Sequence, residues 1–300
     1  MKKIKEIWKV TMRSFKGFSE DKIPKYSAAL AYTTVFSFGP LLVVIIFLCS
    51  IFFGQDATQG KIYDQMVQFV GQDAALQLQT IIKNASLSNK GTLAAVIGII
   101  TLLLGATAVF AEIQDSVNSI WGLKAKPKKG LWKMLRNRFL SFSVVVSLGF
   151  LLLVSLAVST VIEGLSGKLK ASFPDVTVVI FYILNLLISF VVITALFALI
   201  FKVLPDAKTK WKDIWPGALA SGILFMIGKF AISFYIGRSN VGSTYGAAGS
   251  LVILLLWVYY SAMILYMGAE FARAWSSHKG TSIHPNDYAV ALKKVEVETG

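Results

Sequence analysis

Six long apolar runs alternate with polar connections along the chain, at residues 27–53, 92–119, 139–162, 176–203, 216–236 and 247–275. Each is long enough to cross a hydrocarbon core, which takes roughly 20 apolar residues in a helix. None shows the alternating pattern of a transmembrane strand. Backbone polar groups in lipid must be satisfied within their own segment. The pattern therefore predicts an all-α, polytopic membrane protein with six transmembrane helices. The connections carry weaker signals. Ile4, Ile7, Trp8, Thr11, Phe15 and Phe18 recur at helical spacing among lysines, which predicts an amphipathic helix over 2–19 lying in the membrane interface. Leu131, Trp132 and Leu135 suggest a second. Ile62, Met66, Phe69 and Val70 mark an apolar stripe in an outer helical insertion over 60–89. The last twenty residues are polar and are expected to be loosely ordered. The organisation read from these runs is an interfacial segment at 1–26, a six-helix domain at 27–275 and a cytoplasmic tail at 276–300.

Charge fixes an orientation for this arrangement. The 300 residues carry a formal charge of +14, yet only 15% are charged and 55% are hydrophobic. Of the 30 Lys and Arg, 23 fall in the N-terminal segment, the second and fourth connections and the tail; six fall in the other connections, and Lys229 lies within a span. Cytoplasmic loops are the ones enriched in Lys and Arg, so both termini of this multi-pass protein are expected in the cytoplasm. The first run is too long for a signal-peptide core and is expected to be retained. The single cysteine, Cys49, allows no disulfide within one chain and no cysteine metal site.

Polar residues inside the apolar runs are the candidates for function. SAALAYTTVFSFGPLL (Ser27–Leu42) carries Thr33, Thr34 and Ser37 and is broken by Gly39-Pro40. Pro40 lacks an N–H and crowds the Phe36 carbonyl, so this helix needs protein or water around its break. Ala28, Ala29 and Ala31 would let a neighbour approach closely. Thr33, Thr34, Ser37 and Pro40 could line a substrate path; alternatively the hydroxyls bond back to their own helix. Lys229 and Asn185 lie near mid-depth of their spans and could join that path, or Lys229 could snorkel to the surface. Glu112 and Asp115 share a helical face, and Glu270 stands three residues before Arg273. They read either as an inner gate or as interfacial charge with an Arg273–Glu270 pair. Arg238, Asn240 and Tyr245 flank the glycine-rich outer turn GRSNVGSTYGAAGS, which could hold an anionic headgroup or simply reverse the chain.

A weak repeat aligns Tyr26–Pro40 with Trp215–Lys229, and Gly91…Glu112 with Gly249…Glu270 at the same separation. It is either an internal duplication or chance likeness between Ala- and Leu-rich helices. No nucleotide loop, nucleophile elbow or HExxH is present, and His278 and His284 have no metal-ligand spacing. The chain is therefore expected not to be an enzyme, to need no cofactor or metal, and to bind no nucleic acid; membrane lipids are its expected partners.

Three blocks carry a resemblance: SAALAYTTVFSFGPLL, FAEIQDSVNSIWG (Phe110–Gly122) and STYGAAGSLVILLLWVYYSAMILYMGAEFARAW (Ser243–Trp275). In them the chain resembles the YihY/BrkB family of bacterial membrane proteins, over nearly its whole length to Trp275. The first-span pattern departs from the family's in placing Gly39 before the proline. The resemblance implies a six-helix protein of the cytoplasmic membrane, and export of lipid-like molecules has been linked to some members. It implies that the family's older ribonuclease label does not describe it. No settled functional residues come with it; the matching positions are Pro40, Asn118, Trp121, Tyr245, Gly246 and Glu270. Together these readings lead to a transporter or flippase-like protein for an amphipathic or anionic lipid-like molecule, with an envelope-structural protein without substrate as the alternative and a membrane-embedded enzyme ranked behind it.

Overall fold

The computed structural model describes residues 2–37, 91–126, 174–238, 249–281 and 283–292. The described residues are mostly helical. In chain order they form α1 (Lys2–Glu20), α2 (residues 23–37), α3 (Gly91–Ile120), β1 (Leu123–Ala125), α4 (Pro174–Val203), β2 (Ala207–Lys208), α5 (Trp211–Arg238), α6 (Gly249–His278), β3 (His284–Pro285) and β4 (Ala289–Ala291). The runs expected at 92–119, 176–203, 216–236 and 247–275 coincide with α3 to α6. The run at 139–162, the insertion at 60–89 and the helix suggested at 131–135 lie outside the described residues. Helix α5 starts at Trp211, a turn before the apolar run. Pro216 thus sits inside the helix, where its missing N–H removes one hydrogen bond.

Two stretches among the described residues, Leu186–Val203 and Leu254–His278, are long and apolar enough to cross a membrane, with mean hydropathy 2.7 and 1.4. Helix α4 opens with the run Val176-Thr177-Val178-Val179-Ile180, whose β-branched residues are poor helix formers in water. One face of the helix exposes Val179, Ile183, Leu187 and Val191. Contiguous exposed apolar surface of that kind marks contact with lipid or a partner.

Helix α1 has three faces. Val10, Ser14, Gly17 and Asp21 are buried and form the strip that packs on the protein. Ile7, Trp8, Met12 and Phe15 form an apolar stripe that is left exposed, Trp8 at 64%. Lys5, Lys9, Arg13, Lys16 and Glu20 make up the charged sector. The stripe anticipated for an interfacial helix is thus present and is not consumed by packing. A two-residue link with Lys22 in a left-handed conformation (φ 55) leads into α2. Along α2 the buried positions are Ile23, Ser27, Leu30 and Ala31. Ala31 therefore belongs to the packed face expected of the alanines, whereas Ala28, about 60° further round the helix, is exposed.

The chain divides into two compact units: Met1–Pro24, Gln114–Gly228 and Ile264–Gly300 in the first, Lys25–Ile113 and Lys229–Met263 in the second. The first holds a core built on Val117, Ile120, Phe201, Ile214 and Tyr266. It also holds two features that correct the sequence reading. The fold is not purely helical: β1 pairs antiparallel with β4 (Leu123 opposite Ala291), and β2 with β3 (Ala207 opposite Pro285). The final residues are consequently not loose over 284–291. Helix α6 ends in a left-handed Gly280 (φ 70), with Thr281 N–H bonded to the Ser276 carbonyl and Gly280 N–H to that of Ser277. That reversal sends the chain back as a strand. Its residues then close backbone hydrogen bonds that the connections after α3 and α4 would otherwise leave to water.

Candidate functional site

The site lies in the first unit and is organised by α6. One face of α6 meets α5 through small residues. A Cβ added at Gly217 would overlap the Gly268 carbonyl oxygen and stand 2.7 Å from the Ala272 Cβ; one added at Gly268 would overlap the Ser221 hydroxyl. The Ser221 hydroxyl donates to the Gly217 carbonyl at 3.0 Å. Small residues four apart on both helices allow this approach. A second face accepts the Trp121 indole N–H on the Ala269 carbonyl at 2.9 Å.

The third face carries the charges. Glu270 follows Ala269 directly and is 1% exposed, beneath Gly17 of α1; a Cβ at Gly17 would stand 2.6 Å from the Glu270 carboxyl carbon. Arg273 donates from Nη2 to Glu270 Oε1 at 2.8 Å and also to Asp21 Oδ2. One guanidinium therefore serves two carboxylates, both almost wholly buried, while itself 31% exposed. Glu270 Oε2 is buried without a hydrogen-bond partner among the described residues. Buried charges that lose a partner destabilise by about 3–5 kcal/mol, so Arg273 is essential to this arrangement. A cavity of about 380 Å³ opens beside it, between α1 and α6, with Arg13, Lys16, Glu20, Glu270, Arg273 and Ser277 in its wall.

A second polar cluster joins distant parts of the chain. Asp206 accepts from Gln114 Nε2 at 3.0 Å and from Asn118 Nδ2 at 2.9 Å, and its backbone N–H donates to Asn118 Oδ1 at 2.8 Å. Its carbonyl accepts the Asn286 N–H at 2.9 Å. Asp206 is 2% exposed and every one of these groups is satisfied, which marks a structural bolt between α3, the turn after α4 and the final strands.

Against the expected residues, the structure brings Glu270 and Arg273 together and adds Asp21, which the sequence reading missed. Asp115 is exposed and forms no hydrogen bond or ion pair with Glu270 or Arg273; Glu112 is half-buried. The Thr33 hydroxyl donates to the Ala29 carbonyl and that of Ser37 to the Thr33 carbonyl, each at 2.9 Å, so both bond back to their own helix. A Cβ at Gly105 would stand 2.9 Å from the Ser37 hydroxyl, placing Ser37 at a close contact with α3. Thr34 is half-buried. Asn185, Lys229 and Arg238 lie on α4 and α5, but their side chains, like Pro40, Asn240 and Tyr245 as a whole, fall outside the described residues. No group of three or more His, Cys, Asp and Glu that could hold a metal occurs among the described residues.

A family model described as "Virulence factor BrkB" matches residues 14–289. Three relatives, each named a UPF0761 membrane protein, are similar to the chain. One from Verminephrobacter eiseniae is 28% identical over 269 residues, covering 87% of this chain and 61% of the relative. One from Xanthomonas campestris pv. campestris is 29% identical over 274 residues, covering 88% and 60%. One from Ralstonia nicotianae is 26% identical over 259 residues, covering 84% and 55%. The chain thus spans about three-fifths of the length of the first two. No solved structure matches. The blocks that suggested a resemblance supply Gln114, Asn118, Trp121 and Glu270, and the match extends through both clusters: the chain belongs to the BrkB virulence-factor family and is an integral membrane protein.

Proposed function

We propose that the chain is a multi-pass protein of the bacterial cytoplasmic membrane, with six spans and both termini inside, acting as a transporter or flippase-like protein for an amphipathic, anionic, lipid-like molecule. The observation that carries this is the Glu270–Arg273–Asp21 triad. An ionisable group buried within an apolar helix is costly and is retained where it serves a path for charge or substrate. Glu270 is such a group, on α6, beside a cavity of about 380 Å³. The 23-to-6 split of Lys and Arg supports the orientation. Lys229, placed by sequence near mid-depth of α5, would neutralise the anion.

Reconstituted protein should accelerate leaflet exchange of a fluorescent anionic phospholipid, and Glu270→Gln and Lys229→Leu should each slow it. Wild-type rates in both variants would remove this reading. In a Cys49→Ser background, Ser277→Cys should label only from the cytoplasmic side and Ser166→Cys only from outside. An envelope-structural role is the second reading, favoured by the back-bonded hydroxyls of Thr33 and Ser37, which are satisfied within their own helix. It requires that no exchange above protein-free vesicles be seen.

A further inference from the structure

The cavity between α1 and α6 has a charge arrangement that selects a class of ligand. Three cations, Arg13, Lys16 and Arg273, face or adjoin three carboxylates, Glu20, Glu270 and Asp21. Balanced charge offers no net attraction to a bare anion, but it favours a molecule that carries both signs. The pairs already formed decide which groups are available. Arg273 is committed to Glu270 and Asp21. Lys16 and Glu20 stand 3.5 Å apart with both side chains largely in solvent, so the pair is weak and readily exchanged. Arg13 makes no hydrogen bond or ion pair among the described residues, so its planar fork is open to an oxyanion. The Ser277 hydroxyl lies in the same wall.

The direction of access follows from α1. At about 3.6 residues per turn, Arg13 and Glu20 lie on the far side of the helix from Trp8 and Phe15. With the apolar stripe in lipid, the cavity wall faces water. We propose that this cavity binds a small, water-borne zwitterion, with its oxyanion on Arg13 and Ser277 and its ammonium on Glu20 in place of Lys16. A phosphoethanolamine diester has this chemistry. The proposal goes beyond the transport reading and does not depend on it.

The test uses the full chain purified in detergent and titrated calorimetrically with glycerophosphoethanolamine, glycerol 3-phosphate and ethanolamine. The zwitterion should bind saturably and at least roughly tenfold more tightly than either single-charge probe, the scale of one charge-assisted hydrogen bond. Arg13→Gln and Glu20→Gln should each weaken it by a similar factor. Lys9→Gln, exposed on the same sector but outside the cavity wall, should leave it unchanged and so serves as the control. All three side chains are at the surface, so these variants should fold. Equal affinity for glycerol 3-phosphate, a silent Arg13→Gln, or no saturable binding overturns the proposal. The measurement is then repeated in nanodiscs. Unchanged affinity in phosphatidylethanolamine discs relative to phosphatidylglycerol discs supports a water-borne ligand, whereas competition by phosphatidylethanolamine assigns the cavity to a membrane headgroup and overturns it. Leaflet exchange that persists without zwitterion binding would sink this inference and leave the transport reading standing.

Discussion

Gly217→Ala tests the α5–α6 seam most directly. The added Cβ would overlap the backbone carbonyl of Gly268 and stand 2.7 Å from Ala272 Cβ and 3.0 Å from its backbone nitrogen. Carbon atoms rest about 3.5–4.0 Å apart, so the helices must separate by roughly 1 Å. No side chain can rotate to relieve it, because two of the three obstacles are backbone. A gap of that size forfeits a quarter to a half of each dispersion contact along the seam. Overpacking of this kind typically costs about 1–3 kcal/mol. In water an Ala would recover about 1 kcal/mol through helix propensity. In a membrane or micelle the separated helices stay helical, so that gain is common to both states and cancels. The net loss should therefore fall near the upper end, about 2–3 kcal/mol. Heating in mild detergent, followed by size-exclusion chromatography of the protein that remains monodisperse, should show a clearly lower midpoint for Gly217→Ala. Ala272→Gly in the same chain should restore only part of the loss, because it removes the Cβ overlap and leaves the carbonyl overlap. A Gly217→Ala midpoint at or above wild type would refute the seam.

Four further outcomes are expected. Asn118→Ala should lower the midpoint by the equivalent of about 2–4 kcal/mol, since it strands a buried Asp206 carboxylate oxygen and the Asp206 N–H; an unchanged midpoint would mean that Asp206 is held by other groups. Deleting residues 283–300 removes both strand pairs and the Asn286 bond to Asp206, so limited proteolysis should newly cut at 123–126 and 204–210. The same protection should depend little on pH. The hydrogen bond from Lys208 holds the Asp287 carboxyl below its ordinary value of 3.8, so any contribution is present above that value and is lost only as pH falls through the lowered one. Marked loss of protection already at mildly acidic pH would mean that other groups hold the tail. Finally, a peptide of residues 2–20 should bind anionic vesicles, and Trp8→Ser with Phe15→Ser should weaken it by about 2–4 kcal/mol of lost apolar burial; equal binding would show that the lysines alone drive it.

The helices were legible because their signals are local. Apolar runs near 30 residues and the three-faced pattern of α1 need no knowledge of what lies beside them. The Glu270–Arg273 pair was legible for the same reason, being three residues apart on one helix. Asp21 was not, because it reaches Arg273 across 252 positions, and nothing in its local pattern distinguishes it from an interfacial acid. Asp206 likewise meets Asn118 across 88 positions. The strands escaped notice because two or three residues are too few for an alternation to register, and they form on backbone groups rather than on a buried face. One signal was present and passed over. Gly217 with Ser221, and Gly268 with Ala272, are small residues at a spacing of four on two apolar runs, the pattern that marks a helix–helix seam in membranes.

That seam and the charged triad bear on each other through α6. Gly268 and Ala272 bracket Glu270, so the contact that holds α6 against α5 also fixes where the Glu270 carboxylate emerges toward α1. On the α1 side Gly17 leaves room for it, and on the other side Trp121 anchors the Ala269 carbonyl one residue earlier. A carboxylate left with one unpartnered oxygen would relax toward solvent if its helix could roll. With contacts on three faces it cannot, and the desolvation it suffers is maintained by packing that lies outside the charged cluster. The stability of the seam and the behaviour of the charged cavity should therefore move together. Gly217→Ala should disturb zwitterion binding although no atom of Gly217 lines the cavity, while Gly222→Ala, on the same helix but facing Thr194 and Phe190 of α4, should leave it intact.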